Sequence, residues 1–575
     1  MPHFPRLHAL LTAATLLLAL PAAAQQQDVR LPDLGSSADA LISPQEAQQY
    51  GREMLGELRA AGLVLDDPLV DEYLQSLGYR LASHSADPGQ HYTFVALGIP
   101  EINAFASPGG YIYVFSGLIT ITDSQDELAA VLAHELAHIS QHHLQRAYED
   151  QKKSTPLYVL GAIAAAVAAG KADSSESRGG VYNPYAYDYN YGATADPSMG
   201  AFYSVLALME QHQIDFTRKD EEEADHVGIA TLARAGFDPE AMAEFFQRMQ
   251  NLLRPGGEGG EASGDLPPFL QDHPVNSVRI ADAKARAHVI EQQMRLQGAG
   301  TLRQPSYGML PLPFVKNAST LLESSPHQGR TEYALIRERV RVLTASNPHG
   351  VLDYYTRNMA RDPKFAEAVS NRYGYALALV QSGDAAKAVG VLQPLLAAHP
   401  GNLTLELGLA WALRQAGQRR QALEHYASLN AMWPNDPAIV LDYSNALLDD
   451  GSASGARIAQ GLLKPLLNDD SEPSLYRAYG HACHVAGDDI HAGIAYADAA
   501  FLSGRAADAL GQLQRLLKRK DLDYYARAQI DARIAQITPI VLEMRRRHMD
   551  QDQGNGDDGS GLRFGVCAGP ACTQP

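Results

Sequence analysis

Val131-Leu-Ala-His-Glu-Leu-Ala-His-Ile139 places His134, Glu135 and His138 in an H-E-x-x-H spacing inside an apolar, helix-favouring run. Residues four apart share one helix face, so both imidazoles reach a single metal ion while Glu135 stands beside its water. The segment before it, Asp126-Glu-Leu-Ala-Ala-Val-Leu-Ala133, reads as a helix start with acidic residues in the first turn. Leu128, Val131, Leu132, Leu136 and Ile139 then supply apolar positions, which predicts a buried helix at the centre of a domain. Two histidines and a carboxylate on a buried face are costly unless something pairs with them, and the spacing points to zinc-dependent peptide hydrolysis. The plainer alternative is a core helix whose histidines are only hydrogen-bonded.

A tetrahedral catalytic zinc takes three protein ligands and keeps a fourth position open, so a third ligand is expected elsewhere. In Arg218-Lys-Asp-Glu-Glu-Glu-Ala-Asp-His-Val-Gly-Ile-Ala230, Glu221 and Asp225 lie one helical turn apart, and Ala224 and Gly228 are small enough for close packing. A solvated acidic helix face is the alternative for this charge run.

H-E-x-x-H followed much later by E-x-x-A-D-x-x-G resembles the M48 family of gluzincin metallopeptidases. The resemblance implies one zinc per chain held by His134, His138 and Glu221, with Asp225 as the partner of a ligand and a proton donor. Glu222 and Glu223 compete for the ligand position, and the spacing to Asp225 disfavours them. A metzincin would need a histidine ten positions after His134, where Leu144 stands. His142 and His143 fall short of it and read as surface residues or as partners of the ligands.

Two further segments resemble the same family. Asn103-Ala-Phe-Ala-Ser-Pro-Gly-Gly-Tyr-Ile-Tyr-Val-Phe-Ser-Gly-Leu-Ile119 joins a Pro-Gly-Gly turn to a β-rich run at Tyr111 to Phe115 that feeds the metal-binding helix. The family's strand here borders the cleft, and an exposed edge there can pair with an extended substrate, although an ordinary core strand fits as well. Asp272-His-Pro-Val-Asn-Ser-Val-Arg-Ile280 resembles the H-P-x-x-x-x-R segment of bacterial members. His273 is thereby a candidate oxyanion donor, or a fourth ligand that keeps the site latent, against a plain loop residue capping the next helix. Glu135 is the candidate general base, with Glu135 or Asp225 returning the proton to the leaving amine.

Residues 1–24 carry Arg6, an apolar run and Ala22-Ala-Ala24 before Gln25, the pattern of a secretory signal cleaved near Ala24/Gln25. The competing reading is an uncleaved anchor. No later run reaches about 18 uninterrupted apolar residues, and the 157–169 run either lies on a membrane surface or packs over the site. The net charge of −19 speaks against nucleic acid. Three cysteines rule out a disulfide scaffold. Cys483 reads as a buried thiol, and Cys567 and Cys572 can form a small bridge in an oxidising compartment.

The pattern changes after about residue 310. Gly383, Gly417 and Gly451 recur with a period of 34, Ala388, Ala422 and Ala456 follow five later, and Pro400 and Pro434 end the first two units. This is the tetratricopeptide register. A further copy follows at Gly487 with Ala492, Tyr496 and Ala499, and a partial unit begins at Gly504. The expected fold is mostly α: a gluzincin-type metallopeptidase domain of helices plus a small β-sheet, followed by an α-solenoid. Residues 1–24 are then a signal peptide, 25–310 the metallopeptidase domain with a Gly/Tyr-rich insertion at 170–200, 311–545 the repeats, and 546–575 a disordered tail.

The order of signal, protease and repeats resembles periplasmic, repeat-bearing members of the M48 family from Gram-negative bacteria. That implies quality control of outer-membrane proteins, with unfolded or misassembled barrels as clients and the barrel assembly machinery docked by the repeats. The alternative is a chaperone or adaptor whose metal site is mostly latent.

Overall fold

The computed structural model describes residues 43–143, 146, 218–252, 267, 269–270, 273–296, 326–468 and 472–554. The signal sequence, the 157–169 run, the 170–200 insertion, the boundary at 310 and the Cys567/Cys572 pair lie outside them.

The chain enters through α1 (Pro44–Ala60) and α2 (Pro68–Ala82). Ser43 and Glu46 close a reciprocal capping box on α1, while Asp67 caps α2 with Pro68 in its first turn. Three short strands follow: β1 (Thr93–Leu97), β2 (Ala104–Ser107) and β3 (Tyr111–Phe115), in the order β1-β3-β2. β1 runs parallel to β3 with Thr93 opposite Tyr111, and β2 runs antiparallel with Ala104 opposite Val114. Gly109 and Gly110 turn between β2 and β3 at φ 86° and 84°, and a Cβ on Gly110 would meet the His91 carbonyl oxygen at 2.1 Å.

The strand read as bordering the cleft is therefore central. β3 is paired on both sides and all five of its residues are buried, so the sheet's edges belong to β1 and β2, and of these β1 is already bridged by Val64 at Leu97. A run of five apolar residues looks the same in either position until its neighbours are known.

α3 (Ser116–Ile121) leads into α4 (Gln125–Ser140), capped by Ser124, whose hydroxyl accepts from the Glu127 amide. α4 is buried on every side from Glu127 to Ser140. It is enclosed by α2, β2, β3, α5 (Arg218–Arg234), α6 (Ala241–Leu252) and α8 (Pro326–Leu343), while α7 (Ser277–Leu296) packs on α5 and α6. Glu127 is neutralised inside this packing by Arg248, with contacts of 2.9 to 3.3 Å.

Beyond α8, α9 (Pro348–Arg361) and α10 (Pro363–Glu367) precede five antiparallel helix pairs. They are α11 (Val369–Gln381) with α12 (Ala385–Ala398), α13 (Leu403–Gln415) with α14 (Arg419–Met432), and α15 (Pro437–Leu448) with α16 (Ala453–Leu463). Then come α17 (Pro473–Val485) with α18 (Asp489–Leu502), and α19 (Ala506–Leu516) with α20 (Tyr524–Gly554). Gly383, Gly417, Gly451 and Gly487 make the turn inside successive pairs with left-handed φ, and Ala388, Ala422, Ala456 and Ala492 are buried where the helices meet.

Two details of the register differ from the sequence reading. Gly504 sits between pairs, joining α18 to α19, half a period after Gly487. The last helix also runs on to Gly554, past the point where the disordered tail was expected to start, because no glycine or proline interrupts the chain between Pro539 and Gly554.

The N-terminal half and the repeats share their packing. One apolar cluster runs from Leu65 through α4 and α8 into the repeats as far as Ala446. Tyr333 on α8 donates to the Ile119 carbonyl at 2.9 Å. Arg339 on α8 holds Asp67, while Arg477 meets Asp66 at 2.5 Å and Arg59 meets Glu472 at 2.6 Å, which ties α1 and the loop before α2 to α8 and to the solenoid. Among the described residues no helix is long and apolar enough to cross a membrane.

Candidate metal centre

α4 presents His134 and His138 toward the first turns of α5, and Gly228 makes that approach close. A Cβ on Gly228 would lie 3.3 Å from the Ala133 carbonyl carbon and oxygen, so the helices meet there nearly backbone to backbone. Glu221, about two turns earlier on α5, reaches the two histidines. His273, from the segment before α7, closes the group from a third direction.

The ligand-type atoms of His134, His138, Glu221 and His273 all lie within 4.8 Å of one another. His134 Nε2 is 3.0 Å from His138 Nε2 and 3.3 Å from His273 Nδ1. Glu221 Oε1 is 3.4 Å from His138 Nε2 and 2.9 Å from His273 Nδ1, and Glu221 Oε2 is 3.6 Å from His134 Nε2. Zinc bonds of about 2.05 Å in a tetrahedron put neighbouring ligand atoms about 3.3 Å apart, so these spacings suit one such ion. None of the four residues is more than 3 % exposed.

The donor set supports the same conclusion. His134 Nδ1 faces Asp225 Oδ1 at 3.0 Å, which keeps the proton on Nδ1 and leaves a lone pair on Nε2. That lone pair points toward His138 Nε2, an arrangement that a cation between them makes favourable. Burial pushes the His138 imidazole well below its usual pKa; His134 and His273 add to the shift and Glu221 opposes it. Burial alone would raise the Glu221 pKa, but His273, His138 and His134 hold it far below the usual carboxylate range. The pocket thus offers a neutral imidazole at His138 and an ionised carboxylate at Glu221, the forms that bind metal.

Glu135 is 2 % exposed and its Oε1 lies 3.6 Å from His273 Nε2, beside the cluster but not one of its four members. Asp225 stands behind His134, and Arg279 donates to both of its oxygens at 2.9 and 2.8 Å. Burial raises the Asp225 pKa less than His134 and Arg279 lower it, so the carboxylate is ionised and both oxygens are engaged, which suits orienting His134 better than giving up a proton. The competitors separate: Glu222 is exposed, and Glu223 turns to His143 and Arg146. His143 is 1 % exposed with its Nδ1 3.0 Å from His138 Nδ1, which makes it a partner of that histidine, whereas His142 is only partly buried.

Arg279 is the residue to which the sequence reading assigned no role. Its Nη1 lies 2.9 Å from Glu221 Oε2 and donates to the Pro274 carbonyl, and its guanidinium sits 4.7 Å over the Phe246 ring. One cation therefore braces Glu221, Asp225 and the His273 segment. The signal was present as the last letter of H-P-x-x-x-x-R, but what the arginine reached was not.

Residues 68–287 match the pattern of peptidase family M48, and residues 379–429 match a tetratricopeptide repeat. The chain is 29% identical over 534 residues to the beta-barrel assembly-enhancing protease of Escherichia coli (strain K12), covering 92% of this chain and 96% of that protein. It is 28% identical over 525 residues to the protein of the same name from Yersinia pestis, covering 90% and 93%. It is also 25% identical to the mitochondrial metalloendopeptidase OMA1 of Arabidopsis thaliana over 46% of each chain.

Proposed function

From the premise that this chain carries an M48 peptidase domain followed by tetratricopeptide repeats, we propose that it is a periplasmic zinc-dependent endopeptidase of outer-membrane protein quality control. In this reading it degrades misassembled barrel proteins, promotes assembly of others, and docks through its repeats to the barrel assembly machinery. The observation that carries it is the buried cluster of His134, His138, Glu221 and His273 with Glu135 at its side.

His134, His138 and Glu221 are the zinc ligands. Zinc bound there supplies Lewis acidity toward the attacking water and the scissile carbonyl. Glu135 takes the proton from the water and returns it to the leaving amine. Asp225, fixed by Arg279, keeps the His134 proton on Nδ1 so that Nε2 stays free to bind. The outer edge of β2 lies next to α4 and suits an extended, unfolded segment held by main-chain pairing. The signal-type N-terminus and the Gram-negative relatives support a periplasmic site of action.

One observation favours a second reading. His273 Nδ1 lies among the ligand atoms, 2.9 Å from Glu221, where it fills the position that a substrate carbonyl or water needs. A protein held this way acts as a client-binding adaptor until the His273 segment moves. Glu135→Gln separates the readings in cells: the proposal expects zinc content to persist, proteolysis to fall by about two to four orders of magnitude, and barrel precursors to accumulate on the variant. Unchanged proteolysis would overturn the assignment of Glu135 and the peptidase mechanism with it.

A further inference from the structure

His138 has two ring nitrogens, and the site uses only one. Nε2 faces the cluster, 3.0 Å from His134 Nε2 and 3.4 Å from Glu221 Oε1. A metal there needs the lone pair on Nε2, so the proton must reside on Nδ1, and on a ring that is 0 % exposed it needs an acceptor within the protein. Among the described residues, a second imidazole stands at hydrogen-bond distance, His143 Nδ1 at 3.0 Å, where a ligating histidine more often meets a carboxylate or a carbonyl.

For His143 Nδ1 to accept, its own proton must sit on Nε2. That nitrogen points toward α5, 3.3 Å from Glu223 Oε2 and 4.0 Å from Asp220 Oδ1. Arg146 closes the line from the solvent side, 3.1 Å from Glu223 and 3.2 Å from Asp220. We infer that His143 is a positioning residue for the metal centre: it accepts the His138 Nδ1 proton, passes the hydrogen-bond chain to Glu223, and so fixes the tautomer and ring plane in which His138 binds zinc. The inference rests on the reading of His138 as a zinc ligand.

The backbone is arranged for this contact. α4 ends at Ser140, and His142 takes a left-handed φ of 57°, a conformation that a non-glycine side chain adopts at some cost. The reversal folds His143 back over the end of α4 onto His138, with the two rings edge to face at 4.9 Å. Each histidine of the motif then has its own chain ending in an arginine: His134 to Asp225 to Arg279, and His138 to His143 to Glu223 to Arg146. The first two turns of α5 serve both faces, giving Glu221 to the metal while Asp220 and Glu223 anchor His143. The trio His143, Asp220 and Glu223 also has the composition of a cation site, but the Arg146 guanidinium already supplies the positive charge there.

The test measures zinc affinity of the full chain by competition with a chromophoric chelator, alongside thermal unfolding of the metal-free protein. His143→Leu is expected to bind zinc about tenfold to a hundredfold more weakly than the parent. His143→Asn, whose carbonyl oxygen can accept where Nδ1 did, is expected to stay within about threefold, although both variants lose the link to Glu223. Should His143→Leu fail to fold, the parent protein answers alone: nitrogen-15 spectra of its histidines are expected to show His143 as the neutral Nε2–H tautomer, and an Nδ1–H tautomer or an imidazolium overturns the inference. Parent-like zinc affinity in His143→Leu also overturns it, as does equal weakening in Leu and Asn variants that tracks metal-free stability. A parent protein that binds no zinc, with His138→Ala unchanged from it, sinks the metal reading itself, whereas zinc bound by the parent and lost in His138→Ala leaves that reading standing whatever His143 does.

Discussion

Arg279 and Asp225 meet in a two-pronged pair, Nε to Oδ2 at 2.9 Å and Nη2 to Oδ1 at 2.8 Å, and Asp225 carries that anchor on to His134 Nδ1 at 3.0 Å. Burial would lower the Arg279 pKa, but Asp225 and Glu221 outweigh it and keep the guanidinium charged. Replacing Arg279 with Met leaves two carboxylates buried without their cation, at a cost of about 3–5 kcal/mol. Arg279→Lys is expected to recover little, because an ammonium cannot match both oxygens in parallel. Thermal unfolding of the metal-free protein and zinc titration check this; parent-like unfolding of Arg279→Met would remove the arginine from the architecture of the site.

His273 gives the second prediction. With its imidazole removed in His273→Ala, three ligands remain, so zinc content is expected to hold while cleavage of a short peptide rises. The measurement is kcat and KM with zinc content determined on the same samples. A fall in kcat at full zinc content would instead make His273 a donor to the developing oxyanion.

Gly228 sets the separation of α4 and α5, with a hypothetical Cβ 3.2 Å from Met242 Cε and 3.3 Å from the Ala133 carbonyl. Gly228→Val therefore pushes apart the helix that bears His134 and His138 and the helix that bears Glu221. The expected loss is about 2–3 kcal/mol of stability, together with weaker zinc binding, and Gly228→Ala is expected to be milder. Denaturant unfolding with and without zinc reads both effects.

A carboxylate cluster between the protease half and the repeats supplies a pH prediction. Burial, with Asp436 and Glu332 nearby, raises the Glu72 pKa to about 7. Between that value and the ordinary 4.5 the folded chain binds more protons at this site than the unfolded chain does. Stability at Glu72 is therefore lost as pH rises through 7 and regained toward pH 5, an effect of about 2 kcal/mol after allowance for partial solvent access. Glu72→Gln is expected to be more stable than the parent at pH 8 and to lose that advantage at pH 5. An advantage independent of pH would mean that Glu72 titrates normally.

The two helices that build the centre could be read from the chain because their information is local. H-E-x-x-H puts two imidazoles on one face whatever surrounds them, E-x-x-A-D-x-x-G pairs a carboxylate with a glycine contact, and a 34-residue period of glycine and alanine specifies stacked helix pairs. What the tertiary structure alone decided is which groups meet across separate elements. His143 lies five residues after His138, which on an uninterrupted helix would point it about 140° away; only the left-handed turn at His142 brings it back. Arg279 is 54 residues from Asp225 and reaches it because α7 packs on α5. β3 proved central because β1 and β2 both pair with it, a choice set by strand partners rather than by its own residues. Periodicity fixes the face a side chain occupies, while the identity of its neighbour depends on how the elements pack, and in this protein the candidate metal ligands belong to the first kind of information and the residues proposed to hold them in register to the second.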